Sequence, residues 1–343
     1  MSGERKGRVL LHLAGLLLAV GLATAIALGG WLHWTLAPIH TAGPPSPVGF
    51  DVEPGTSLSA VARRLEAQGL IRSALAMRGW ARLRAGRAKM KTGEYELSPT
   101  LSTPEILEIL ASGRVRTHPV VIPEGVRAVD IADRLAAAGL ADRERFLALV
   151  LDPDSPARFE VDGPTLEGYL YPDTYRFARG LPVEAIARTM VDRFRTVYHE
   201  LRNRVPTTLS MRELVTLASI VEKETGVPEE RPLIAAVFLN RMRLGMRLET
   251  DPTVIYGVED FDGNLRRRHL EDDSNPYNTY RIPGLPPGPI ASPGQEAIRA
   301  VLEPADTNYL YFVSRNDGTH VFSTSYRDHS RAVARFQKQR RRR

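Results

Sequence analysis

Two glutamates, Glu222 and Glu224, flank Lys223 in "LASIVEKETG" (217–226), at the end of an apolar run and just ahead of Gly226 and Pro228. If the run is helical, Leu214, Leu217, Ala218 and Val221 follow i, i+3, i+4, i+7 spacing and form its buried face. Glu224 then falls on one flank of that face and Glu222 on the other. A carboxyl in the last turn of a helix meets the negative end of the macrodipole as well as apolar neighbours. Both disfavour its ionised form and raise its pKa, which is the property a general acid needs. Solvated glutamates are also common at helix ends, so the stretch alone leaves the chemistry open.

Other polar side chains cluster downstream. Asn240 and Arg241 close the apolar run of "RPLIAAVFLNRMRLGMRLETDPTVIYG" (231–257), and Glu249, Asp251, Thr253 and Tyr256 follow it. The segment "SNPYNTYRIPGLPPGPIASPGQEAI" (274–298) is dense in proline and glycine. A loop of that length inside a compact domain is often functional, though a rigid surface connection would carry the same composition. Its Tyr277, Asn278, Thr279, Tyr280 and Arg281 supply aromatic faces and hydrogen bonds of the kind that hold sugar rings. Upstream, "TLEGYLYPDTYRF" (165–177) alternates tyrosines with acids and reads as an edge strand or ordered loop.

Several other chemistries are poorly served. The chain has no cysteine, so it has neither disulfides nor thiolate nucleophiles or ligands. Its eight histidines are scattered, without the spacing of a metal site. There is no Gly-x-Ser-x-Gly elbow, Walker loop or dinucleotide-binding glycine motif. Ser219 and Lys223, one helical turn apart, mimic a Ser–Lys pair only by a commonplace spacing.

The elements that would position these groups can be outlined. Ser210 and Glu213 form a capping box that starts a helix at Met211, so the two glutamates lie near that helix's end. A helix is expected near 183–203, and another from 231 to about Gly245, followed by an extended stretch. Ser292-Pro293 with Gln295 reads as a second capping box. "YLYFVSRNDGTHVFST" (309–324) reads as a hairpin turning at Asn316-Asp317-Gly318. Residues 52–70 and 122–140 echo each other at an offset of 70: Gly55 matches Gly125, Arg64 Arg134, Leu65 Leu135 and Gly69 Gly139. Each copy reads as strand, glycine turn, amphipathic helix and glycine cap. That pattern is similar to half of a LysM module, a small peptidoglycan-binding fold, or to a generic duplicated packing unit. Between the copies, "KTGEYELSPTLSTPEILEILASG" suggests a strand and a helix N-capped by Thr103.

Residues 9 to 32 carry no formal charge, and at a rise of about 1.5 Å per residue they span a hydrocarbon core of about 30 Å. A transmembrane anchor over 9–33 is expected. The run exceeds the roughly 7 to 15 apolar residues of a cleavable signal peptide, which is the competing reading through Ala23-Thr24-Ala25. Arg5, Lys6 and Arg8 leave residues 1–8 in the cytoplasm, with Trp31 and Trp34 as interfacial anchors. Residues 34–49 read as a Pro/Gly-rich tether. The formal net charge of +6 is concentrated at the two ends, and 331–343 is a basic tail of the solvated kind, with nothing that calls for nucleic acid.

Together, "LEGYLYPDTY", "LASIVEKETG", "VFLNRMRLGMRLETDPTVIYG", "PYNTYRIPGLPPGPIASPG" and "YLYFV" resemble, in order and spacing, the endolytic murein transglycosylases of the MltG (YceG-like) type over about 50 to 330. The resemblance implies an α+β chain of transmembrane helix, LysM-like subdomain (50–117) and mixed α+β catalytic domain (118–330) with a helix-borne catalytic glutamate. In that family the second glutamate of the "EKET" motif is catalytic, here Glu224. Glu167, Tyr169, Thr225, Asn240, Arg241, Asp251, Tyr256, Tyr277, Asn278 and Tyr280 are the expected substrate-binding residues. Family members often carry glutamine where this chain has Glu249.

The implied activity is a cofactor-free lytic transglycosylase reaction, cutting the MurNAc–GlcNAc β-1,4 bond within nascent peptidoglycan glycan strands. It would act as a terminator of elongation, beside the peptidoglycan synthases, with its catalytic part outside (periplasmic) the cytoplasmic (inner) membrane. Two alternatives are a water-using muramidase with Glu167 or Asp251 as second carboxylate, and a non-enzymatic peptidoglycan-binding scaffold.

Overall fold

A computed structural model describes residues 3–40, 47–84 and 90–338 and divides the chain into two compact units, Met1–Thr117 and His118–Arg343.

In the first unit, helix α1 (Gly3–Leu36) contains an apolar span, His12–Leu36, long enough to cross a membrane. The helix runs past the expected anchor, and the tether expected over 34–49 is correspondingly shortened. Thr35 and Leu36 are buried, and the Ile39 and His40 amides donate to the Pro99 carbonyl. Part of that tether, residues 41–46, lies outside the described residues. Strand β1 (Val48–Val52) pairs antiparallel with β2 (Gly93–Leu97), Val48 opposite Leu97. Between them run α2 (Leu58–Ala67) and α3 (Ala74–Arg84), and α4 (Thr103–Ser112) follows. Alternate strand residues Phe50, Val52, Tyr95 and Leu97 meet Val61, Leu65, Met77, Ile106 and Leu110 in a closed apolar core. The α4 N-cap is Ser102 rather than Thr103. Ser102 and Glu105 satisfy each other's backbone amides, which leaves Thr103 as the first helical residue.

The second unit opens with β3 (His118–Val121), then α5 (Ala128–Ala137), α6 (Arg143–Val150) and α7 (Ser155–Phe159), and returns in β4 (Thr174–Phe177), antiparallel to β3. The sequence echo is therefore a structural one. Helix α5 lies 70 residues after α2 at both ends, and the turn glycines Gly55 (φ +79°) and Gly125 (φ +72°) share a left-handed conformation that a side chain would strain. In both units the strand pair closes around the helices.

Helices α8 (Val183–Arg204), α9 (Met211–Glu224) and α10 (Arg231–Arg243) follow, with a 3-10 turn at Pro228–Glu230. Next come α11 (Asp251–Tyr256), α12 (Arg267–Leu270), α13 (Gln295–Leu302), the hairpin β5 (Tyr311–Ser314) and β6 (His320–Ser323), and α14 (Tyr326–Val333). The heart of the unit is α9, packed against α10, α11 and α13, with Leu214 through Val221 all buried.

Three sequence expectations change here. Asp251–Tyr256 is helical, not extended: Pro252 sits in the first turn, where its missing amide costs nothing. Helix α13 is capped by the Gly294 backbone rather than by Ser292, because Ser292 is tied by two backbone hydrogen bonds, at 2.8 Å each, to Gly125 and Val126. The expected tail is helical through Lys338, and only 339–343 lie outside the described residues.

Candidate active site

Helix α9 brings the two glutamates to the end of a buried rod. Its start is held by the Ser210–Glu213 capping box, and its end by Thr225 in an extended conformation (φ −145°). Because the apolar face is buried on all sides, the last turn delivers its carboxyls into two separate surroundings.

Glu222 is almost wholly buried. Its carboxylate accepts from Arg231 Nη2 at 3.2 Å and from the Gly294 amide at 3.0 Å. It is a structural ion pair that fixes the start of α13 and α10 to the end of α9. Ser219 and Lys223 form no pair: the Ser219 hydroxyl donates to the Thr216 carbonyl, while Lys223 reaches the Gly125 carbonyl.

Glu224 has no cation in hydrogen-bond contact among the described residues. The Thr250 hydroxyl donates to its Oε1. Burial pushes its pKa up to about 7; the Thr250 hydrogen bond pulls it down, the negative charge of Asp251 raises it, and His320 lowers it. Asp251 belongs to α11 and His320 to β6.

Thr250 is itself held. Its amide donates to Thr279 Oγ1 at 3.1 Å, and Thr279 Oγ1 lies 2.8 Å from Thr253 Oγ1. This buried threonine cluster joins the start of α11 to the proline-rich loop. Tyr280 projects from the same loop and donates to Asp251 Oδ1 at 2.8 Å. Burial and nearby Asp251 raise its pKa far above the ordinary phenol range, so it remains a donor.

On the other side, Thr225 Oγ1 lies 3.4 Å from Glu230 Oε2, and Glu230 grips His320 twice: the His320 amide at 2.8 Å and Nδ1 at 2.6 Å. Thus the β5–β6 hairpin is fastened to the end of α9 through a buried His–Glu contact.

Of the expected substrate-binding residues, Thr225, Asp251 and Tyr280 gather around Glu224. Arg241 and Asn240 stand behind it as scaffolding. Arg241 donates to the carbonyls of Leu310 (2.7 Å) and Leu248 (2.9 Å) and to Glu249 Oε2 (3.4 Å). Asn240 holds the Thr307 and Tyr309 carbonyls. Glu249 takes a left-handed backbone (φ +50°) at the turn before Thr250, with its amide on the Thr279 carbonyl.

Glu167, Tyr256 and Tyr277 form another cluster. Glu167 is buried, accepts the Ala128 amide at 3.0 and 3.2 Å, and lies 3.4 Å from the Tyr256 hydroxyl. Burial lifts its pKa to about 7 against these hydrogen bonds and Arg127. Arg127 stacks 4.8 Å above Tyr256, which packs on Tyr277.

Two expected ligands are core residues instead. Tyr169 is fully buried against Phe194, with its hydroxyl on the Asp162 carbonyl. Asn278 is fully buried and its side-chain amide collects the carbonyls of His269, Leu270 and Asp272, shaping the loop. Neither side chain faces solvent.

Sequence reasoning missed Thr250, His320 and Glu230. Thr250 lay next to the chosen Asp251, and His320 sat in the hairpin, where no spacing rule points to a residue of another element.

Fold and site together define a mixed α+β protein with a half-buried, strongly perturbed carboxyl at the end of a central helix, hydrogen-bonded by a threonine hydroxyl and influenced by an aspartate and a histidine. The chain belongs to the YceG-like family, which it matches over residues 50–335. It is 29% identical over 306 residues to an endolytic murein transglycosylase of Bacillus subtilis, covering 84% of each chain. It is also 29% identical to an endolytic murein transglycosylase of Streptococcus pneumoniae strain R6, covering 82% of this chain and 56% of the pneumococcal one. A crystal structure of a yceG-like protein from Listeria monocytogenes is similar at 31% identity with TM-score 0.56, covering 84% of this chain and all of that one.

Proposed function

We propose that this chain is a membrane-anchored endolytic lytic transglycosylase that cuts the MurNAc–GlcNAc β-1,4 bond within peptidoglycan glycan strands. The observation that carries the reading is Glu224: a carboxyl whose pKa is raised to about 7, hydrogen-bonded by Thr250, at the end of α9. A group of that pKa can give a proton and take one back at neutral pH.

Protonated Glu224 donates to the glycosidic oxygen as the C1–O bond breaks. Its carboxylate then takes the proton of the muramic acid C6 hydroxyl, whose oxygen bonds to C1 and closes a 1,6-anhydro ring. The nucleophile belongs to the substrate, so no water-activating carboxylate is required. Glu167 is poorly suited to that second role, because its oxygens are occupied by the Ala128 amide and Tyr256. The buried threonine cluster holds the Thr250 hydroxyl on Glu224, while Tyr280 offers a hydroxyl to the sugar and the tyrosine faces suit sugar rings.

The strand–helix–helix–strand order of residues 48–97 supports a LysM-like, glycan-binding role for the 50–117 segment, with 118–330 as the catalytic domain. Anchoring through α1, N-terminus in the cytoplasm, would confine cutting to new strands at the outer face of the membrane. There the enzyme would end glycan elongation next to the synthases.

The test is digestion of purified glycan strands by the wild-type chain and by Glu224→Gln, with product ends read by mass spectrometry. Anhydro ends are expected, with a loss of about 10²- to 10⁴-fold in the variant. Reducing ends would instead identify a water-using muramidase, for which Asp251 is the available second carboxylate. Cleavage unchanged by the substitution would remove Glu224 from the chemistry, and no cleavage by either protein would leave a glycan-binding scaffold.

A further inference from the structure

Helix α3 presents a face that the core of the first unit does not use. At 100° per residue, Leu75, Gly79, Arg82 and Leu83 fall on one side and are exposed, opposite the buried Met77 and Ala81; half-buried Arg78 borders this face beside Ala74, and buried Ala76 bounds its other edge. Leu75 and Leu83 are 62% and 79% exposed. Beyond α1, the large apolar side chains exposed among the first unit's described residues are these two and Val48.

Position says what covers this face. Helix α3 packs against α1, and α1 is buried only at its end, around Thr35 and Leu36. There, Trp31 and Trp34 are exposed, as aromatic residues at a bilayer surface would be. Arg72, two residues ahead of α3, stacks 4.9 Å above the Trp34 ring and donates to the Pro38 carbonyl at 2.8 Å. The start of α3 is therefore fixed at the level where α1 leaves the bilayer. Two leucines about 12 Å apart along one helix face, with arginines at one edge, match an interfacial helix on anionic lipid.

We propose that α3 lies on the membrane surface beside the exit of α1, with Leu75 and Leu83 at the acyl–headgroup boundary and Arg78 and Arg82 on lipid phosphates. The proposal rests on α1 being a membrane anchor. It makes the first unit a surface-seated body rather than one swinging on a tether.

The absence of native cysteine allows single-site labelling. The full chain is reconstituted in phosphatidylethanolamine/phosphatidylglycerol nanodiscs, with an environment-sensitive fluorophore at Leu18→Cys, Leu75→Cys, Leu83→Cys or, as an exposed control on α4, Glu108→Cys. Spin-labelled lipids are the quencher. Quenching at 75 and 83 is expected to be about threefold or more that at 108, and to fall on Arg78→Glu/Arg82→Glu substitution while Leu18 stays quenched. Quenching at 75 and 83 equal to the control, with Leu18 quenched, overturns the proposal and leaves the anchor standing. An unquenched Leu18 removes the anchor and the proposal with it. Shielding of 75 and 83 from aqueous iodide without lipid quenching assigns the face to a second copy of the chain and overturns the proposal.

Discussion

Glu222 and Glu224 leave the same helical turn and end in opposite electrostatic surroundings. Glu222 is clamped between Arg231 and the Gly294 amide, whereas Glu224 takes its hydrogen bond from the Thr250 hydroxyl and is pushed up to about 7 by burial. Between the two glutamates of one motif, the partner each finds across the fold separates a structural ion from a proton carrier.

The Glu222–Arg231 pair predicts a stability effect without a direct effect on chemistry. Removing one partner of a buried ion pair costs about 3–5 kcal/mol, since the other charge stays buried. Arg231→Met should lower the midpoint of thermal unfolding sharply, and adding Glu222→Gln should recover part of the loss. Equal midpoints for the two variants and wild type would mean that the pair is solvated.

The pH profile follows from the raised pKa of Glu224. The acid form falls away as pH rises through about 7, so glycan cleavage should decline on the alkaline side. Asp251 raises this pKa and His320 lowers it. The alkaline limb should therefore move down in Asp251→Asn and up in His320→Gln. Rates measured from pH 5 to 9 check the two opposite displacements.

Stability is linked to the same proton. The folded pKa lies above that of an ordinary solvated glutamate, so the neutral group's contribution is complete below the unfolded pKa and lost as pH rises through about 7. Glu224→Gln should match wild type near pH 4 and unfold at a higher temperature than wild type at pH 8.

The Glu230–His320 contact joins the hairpin to the end of α9. His320→Gln should reduce turnover about tenfold, the effect of a neighbour contributing about 1.4 kcal/mol to the barrier. The Michaelis constant should change little. Steady-state kinetics on soluble glycan strands, with circular dichroism to confirm folding, distinguish this from a collapsed hairpin.

Gly257 sits beneath the substrate-loop candidate. A Cβ there would fall 1.9 Å from Asn275 Oδ1, which accepts the Tyr277 amide at 2.9 Å. Since Asn275 is buried and also holds the Val254 carbonyl, it has no free direction to move. Gly257→Ala should cost about 1–3 kcal/mol in chemical denaturation, as overpacking does.

Local signals were legible in the chain itself. The capping box at Ser210 and Glu213 set where α9 begins, the apolar period set which face is buried, and the echo at an offset of 70 announced two similar units. The charge-free N-terminal run specified a helix of spanning length. These features depend on neighbours in sequence, through hydrogen bonds and side-chain spacing within a few residues.

What tertiary structure decided depends on groups far apart in the chain. Glu224 acquired Thr250 and His320, and Glu222 acquired Gly294, 72 residues on. Tyr169 and Asn278 looked like ligands because tyrosine and asparagine serve both surfaces and interiors, and only packing distinguished the two. A carboxyl's pKa reflects how much water it has lost and which charges surround it, and those are set when α9, the proline-rich loop and the hairpin close on one another.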